Sequence, residues 1–196
     1  MTVFLGYDPG GRNKHGVAAV DIAASGKFRR EPDTHTLRNA SEVEAWLKGQ
    51  QCAAAIGIDT LLAWSRLDDR ACDIWLREQY PQHKNSVVAQ NSLYSAMTIN
   101  GAIVAKTASE TGLALVETHP KLLRKSELEV DNDGEQIRAA IANLAHEAEH
   151  EVDALLAAWC ASRWHFGCWQ MNLYDKADES LVFPFGSPVY PWPSIA

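Results

Sequence analysis

Cysteine is scarce in this sequence and widely spaced: Cys52, Cys72, Cys160 and Cys168 form no C-x-x-C pair. That spacing signals neither a zinc knuckle nor a disulfide framework, so reduced thiols in or near the core are expected. No apolar run approaches the roughly 20 residues a bilayer-spanning helix needs. The first residues lack the basic and apolar regions of a secretory signal. The expectation is a soluble cytoplasmic protein with no membrane partner. Positive charge is also short, with 18 Lys and Arg against 25 Asp and Glu, a formal charge of −7. Such a balance argues against a protein that coats nucleic acid with its whole surface. It does not exclude one that binds along a local basic rim, because metal-binding carboxylates inflate the negative count. Low-complexity tracts, internal repeats and linker-like stretches are absent too.

What is present suits one globular domain: 196 residues, 46% of them hydrophobic and 22% charged. Residues 3–8 and 16–22 read as two strands joined by the Asp8-Pro9-Gly10-Gly11 turn. A weakly alternating third strand falls near 27–37, with Pro32 suited to an edge or bulge. Ser41, with Glu44 three residues on, predicts a capped short helix, followed by the buried strand "CAAAIGID". The segment 66–79 sets Leu67, Ala71, Ile74, Trp75 and Leu76 at helical spacing. After a loop containing Pro81, a long helix runs to Gly112, and the strand "LALVETHP" closes at Pro120. Helices are expected over 135–148 and about 151–165. Residues 171–196 read as an edge strand and a Pro- and aromatic-rich tail of the domain formed by 1–170. Strands first, then a strand alternating with helices, predicts a mixed α/β sheet.

Three of the predicted strands end on an acid: Asp8, Asp59 and Glu117. A fourth acid, Asp153, borders the small-residue face Ala154, Ala157, Ala158 and Ala161 of a late helix, one turn after His150. Glu149 lies within the same turn. Clustered carboxylates raise one another's pKa unless a cation neutralises them, and Mg²⁺ or Mn²⁺ favours such oxygen ligands. Two ions about 4 Å apart could activate water and stabilise the leaving oxygen of a phosphodiester. His150 could ligate Mn²⁺ or shuttle a proton. Each residue also has a purely structural reading. Asp8 opens an Asp-Pro-Gly turn, Asp59 caps the next helix, and Glu117 pairs with Lys121 or Arg124. His119 is then a loop residue and His150 a solvated helix residue.

The ordered set "FLGYDPGGRNKHGVAAV", "AIGIDTLLAW" and "HEVDALLAAW" resembles the three acidic motifs of the ribonuclease H-like superfamily, and RuvC-type Holliday-junction resolvases within it. With "DRACDIWLRE" and "VETHPKLL" the chain looks still more like an uncharacterised family of predicted nucleases on that fold. The resemblance spans roughly residues 3–165. It implies a ribonuclease H-like mixed sheet with helices on both faces and metal-dependent hydrolysis of nucleic acid. Asp8, Asp59 and Asp153 become ligands of Mg²⁺ or Mn²⁺, and His150 a ligand or proton carrier. Glu117, His119 and Glu149 are possible additions. Two departures concern the middle motif: Asp59 stands where resolvases carry Glu, and Thr60-Leu61 where the predicted nucleases often have a small residue and Pro. Resolvases act as dimers, although no interface signature accompanies the resemblance here.

Arg12, Lys14, Arg66, Arg70, Lys121 and Arg124 flank the motifs and are candidate phosphate contacts, or else solvated positions. Two other functions stay open. Actin-like and sugar-kinase phosphotransferases share the first strand and its Gly-containing turn, but usually need two such domains with a cleft between. An inactive scaffold would instead use the seven Trp residues and the "FPFGSPVYPWP" tail to bind a protein partner.

Overall fold

The computed structural model describes residues 2–50, 52–67, 69–126, 134–144, 149–176 and 181–194. Asp68, the 145–148 end of one expected helix, and residues 177–180 and 195–196 of the tail lie outside the described residues. The chain opens with β1 (Val3–Asp8), β2 (His15–Asp21) and β3 (Asp33–Leu37), followed by α1 (Ala40–Lys48). Then come β4 (Ala53–Ile58), the short β5 (Trp64–Ser65), α2 (Ala71–Gln79) and α3 (Ser95–Glu110). The second half holds β6 (Ala114–Glu117), α4 (Pro120–Ser126), α5 (Gly134–Asn143) and α6 (Glu149–His165). Three two-residue strands finish it: β7 (Met171–Asn172), β8 (Leu181–Val182) and β9 (Pro191–Trp192).

The central sheet runs β3-β2-β1-β4-β6, antiparallel across β3-β2-β1 and parallel across β1-β4-β6. Every residue of β1 is buried, because alternate side chains feed two cores. Phe4 joins Ala18, Val20 and the apolar side chains of α6 and α2 on one face. Leu5 and Tyr7 join Val43 and Leu47 of α1 and Val104 and Ala108 of α3 on the other. Helices therefore cover both faces, as the resemblance implies.

Helix α6 lies on the sheet because three glycines make room for it. A Cβ at Gly16, Gly6 or Gly57 would stand 1.9, 1.8 or 2.0 Å from the backbone oxygen of His150, Ala154 or Ala157. These contacts advance along α6 by four and then three residues, the spacing of one helix face, while stepping across β2, β1 and β4. Gly10 serves a different purpose. A Cβ there would stand 1.8 Å from the Lys14 oxygen, so closing the β1–β2 turn accounts for this glycine without any ligand.

Several local expectations need correction. The cap of α1 is Asn39, whose side chain accepts from the Glu42 N–H at 3.0 Å; Ser41 is already inside the helix, and Glu44 accepts from Thr107 Oγ1. The third strand begins at Asp33, and residues before it contribute only the Ile22–Phe28 bridge. Helix α2 begins at Ala71 and buries Cys72, Asp73 and Leu76, leaving Leu67 and Ile74 exposed. Its inward face is set by an ion pair rather than by apolar periodicity. The strand expected to close at Pro120 ends at Glu117, and Pro120 instead starts α4, which the sequence reading did not contain; its fixed φ suits a first helical turn.

The tail is folded back. Val189 bridges to β6 through Glu117 N–H to Val189 O at 2.8 Å and Val189 N–H to Leu115 O at 3.1 Å, and Trp192 Nε1 donates to Tyr80 Oη at 2.9 Å. All four cysteines are free, Cys72 and Cys160 buried, Cys52 and Cys168 exposed. Among the described residues no helix is long and apolar enough to cross a membrane.

Candidate metal centre

Asp8 is the last residue of β1 and pairs across the hairpin with Gly16. Because Gly16 has no side chain, the α6 backbone at His150 comes down onto it, and His150 Nδ1 reaches Asp8 Oδ2 at 2.5 Å. Asp59 follows β4, its N–H donating to Tyr7 O at 3.0 Å, so the parallel pairing sets it beside the end of β1. Asp153 shares the sheet-facing side of α6 with His150 and Ala154. All three carboxylates are buried, Asp153 to 1% exposure.

Burial makes these charges costly, and their mutual repulsion adds to the cost. Burial pushes Asp8 up, partly offset by the hydrogen bond and charge of His150. Asp59 is raised well above the usual carboxylate range by burial, then by Asp8 and Asp153. Asp153 is raised to about 6 by burial and the Asp8 charge, with Lys121 and Arg124 pulling the other way. His150 is shifted up, chiefly by its bond to Asp8. Burial opposes the charge of Lys121, but Asp153, Glu149, Asp59 and Asp8 together raise its pKa. Lys121 also lies 3.5 Å from Glu149 Oε1.

Both Oδ atoms of Asp153 are buried without a hydrogen-bond partner. An anionic oxygen in that state is unusual in a folded protein, and a cation is one natural complement. The donor set of Asp8, Asp59 and Asp153, oxygens only with one imidazole alongside, fits a hard divalent ion. Among the described residues, however, no group of three or more His, Cys, Asp or Glu side chains is placed to hold a metal ion.

Glu117 and Arg70 sit elsewhere in the chemistry. Glu117 Oε2 accepts from Leu62 N–H at 2.5 Å, Tyr174 Oη at 2.6 Å and Arg70 Nη1 at 3.0 Å, while Oε1 lies 2.7 Å from Arg70 Nη2. Arg70 also forks onto Asp73 at 2.7 and 2.8 Å and donates to Ala63 O at 3.0 Å. That accounts for all five guanidinium donors. Arg70, 1% exposed, is thus an interior cation and not a surface phosphate contact, and Glu117 pairs with it rather than with Lys121 or Arg124. Sequence reasoning had no signal for this link beyond an Arg and an acid on separate elements.

His119, at the start of α4, has its Nδ1 3.9 Å from Asp59 Oδ1, and burial pushes its pKa down to about 4. Glu149 is exposed at the start of α6. Arg12 and Lys14 are exposed on the β1–β2 turn, Arg66 after β5, and Lys121 and Arg124 on α4. Beside the turn a polar cleft of about 610 Å³ is lined by Arg12, Asn13, His15, Arg38 and Asn100.

No family model matches the chain. A search of curated proteins likewise finds no match. Among solved structures, one of T. thermophilus RuvC in complex with Holliday junction substrate is similar at 16% identity and a TM-score of 0.45, covering 85% of this chain and 97% of that one. The strand order and directions above give the class. The fold is α/β, a mixed five-stranded sheet with helices on both faces. On this sheet, the glycines under α6 are what the sequence reading overlooked. Their signal was present, as single glycines within three apolar strands opposite an alanine-rich helix.

Proposed function

We propose that this protein is a Mg²⁺- or Mn²⁺-dependent nuclease that hydrolyses phosphodiester bonds of nucleic acid. The observation that carries the reading is the pair of partnerless, buried Asp153 oxygens, close enough to the other acids that Asp8 raises the pKa of Asp153 and both raise that of Asp59. Asp8, Asp59 and Asp153 would hold the ions. Bound there, the metal would supply charge neutralisation, an activated water and stabilisation of the leaving oxygen.

The chain's own groups divide the remaining work. His150, held at Asp8 Oδ2, can keep a proton at Nδ1 or give it up. Lys121 keeps its positive charge among the acids and is 47% exposed at the side chain, so it can meet an incoming phosphate. Arg12 and Lys14 on the turn, with Arg66 and Arg124, would track the backbone of the strand, contributing affinity without sequence choice. The full donor set of Arg70 takes it out of this role.

The test is cleavage of branched DNA, single strands and RNA–DNA hybrids by pure protein with Mn²⁺ or chelator. Metal-dependent cleavage that Asp8→Asn abolishes is the expected result. No cleavage, with thermal stability indifferent to metal, refutes the proposal. ATP turnover without cleavage would point to phosphotransfer instead. The scaffold alternative gains little from most of the tail's rings: Tyr174 and Tyr190 pack on each other and Trp192 is 1% exposed, which leaves Val182 and Phe183 as its exposed large apolar side chains among the described residues.

A further inference from the structure

Next to the acids, a separate cavity of about 160 Å³ opens between α3, α4 and the loop after β4. Asp59, His119 and Lys121 stand on one side of it, and Val87, Leu93 and Met97 form apolar wall. The charged part of its lining is already matched. All five donors of Arg70 are engaged, and Glu117 holds four contacts of its own, so the Arg70 guanidinium has no spare donor for an anion. What the cavity interior does offer is neutral. Ser86, whose Oγ accepts from Lys125 Nζ but keeps its own hydroxyl proton to donate, and the His119 imidazole line it with neutral polar groups. At about 30 Å³ per liquid water, the space equals about five waters. That is room for one flat heterocycle, too little for a base pair.

We propose that this cavity receives a single unpaired base of the nucleic-acid substrate, placing the adjoining phosphate at Asp59 and Lys121. The inference rests on the nuclease reading and adds a substrate class to it: strands with an unstacked base at the cut site. An apolar slot with a few polar groups is how enzymes accept a base drawn out of its stack. The Met97 thioether and the Tyr190 ring, both in the lining, suit a π face. Because the slot and the acids share Asp59, base capture and phosphate placement become one event.

The experiment measures binding of labelled single-stranded oligonucleotides in Ca²⁺, with an abasic site moved along the strand. One position should lose about tenfold or more in affinity when its base is absent. Met97→Trp, which fills the slot from a half-buried position, should erase that preference. Equal affinity for all abasic positions, or no binding of any strand, overturns the proposal. A nucleoside monophosphate that displaces the strand at equal concentration assigns the slot to free nucleotide and also overturns it. Cleavage of the same strands in Mn²⁺ separates the two readings. Cleavage without base preference removes the slot and keeps the nuclease; base preference without cleavage does the reverse.

Discussion

Replacing Asp153 with Asn should stabilise the metal-free protein at neutral pH while destroying its response to metal. Asp153 is 1% exposed and its oxygens have no hydrogen-bond partner, so the folded state must hold an ionised group that nothing solvates. Its pKa is raised from 3.8 to about 6. At about 1.4 kcal/mol per pH unit, that gap corresponds to about 3 kcal/mol. The sign follows from which state holds the proton. Below pH 4 both folded and unfolded chains are protonated at this carboxyl and no penalty is felt. Between about 4 and 6 the unfolded chain ionises first, so stability falls as pH rises, and above 6 the full penalty persists. Asn carries no charge, so the stability of the variant relative to wild type should improve by about 3 kcal/mol between pH 4 and pH 8. For a domain of this size that is roughly 6–12 °C in Tm. Any cost of the unpaired amide of Asn is independent of pH and drops out of the comparison. Urea denaturation of both proteins in chelator at pH 4, 6 and 8 gives the numbers, and the same melts with Mn²⁺ should show wild type gaining and the variant not. A difference between the two proteins that stays flat with pH, or moves against the variant as pH rises, refutes the argument that Asp153 is a strained, uncompensated charge.

Other expectations concern the parts that place it. Gly16→Ala puts a Cβ 1.9 Å from the His150 oxygen, so α6 must shift. We expect a loss of about 1–3 kcal/mol in urea melts, with the His150 ring signals no longer reporting the Asp8 contact by NMR. Glu117→Ala leaves two of the five donors of buried Arg70 without an acceptor and should cost about 3–5 kcal/mol in denaturant unfolding, whether or not metal is present. Asp8→Asn removes the main cause of the raised His150 pKa. In the wild type that pairing favours folding below the ordinary histidine value of 6.5 and is lost as pH rises through the raised one; in the variant the His150 titration midpoint should move down, as followed by NMR.

The sequence made the candidate acids more legible than the scaffold that holds them. Asp8, Asp59 and Asp153 could be singled out because an acid at the end of an apolar strand, or beside an alanine face, conflicts with its surroundings. Such a conflict is visible one residue at a time. The Arg70–Asp73–Glu117 clamp joins residues 47 positions apart and turns α2 by an ion pair, so hydrophobic periodicity assigned the wrong face to Leu67 and Ile74. Its consequence reaches the site all the same. Glu117 grips the Leu62 N–H, and Arg70 grips the Ala63 carbonyl, so the segment leaving Asp59 is fixed at two points from below. On the other side, Gly16 fixes His150 by allowing backbone contact. The acids thus stand between two rigid supports with little freedom to move apart and lower their repulsion. On the proposed reading that rigidity would keep the charges poised for a cation, since a looser frame would relieve the strain by letting water in.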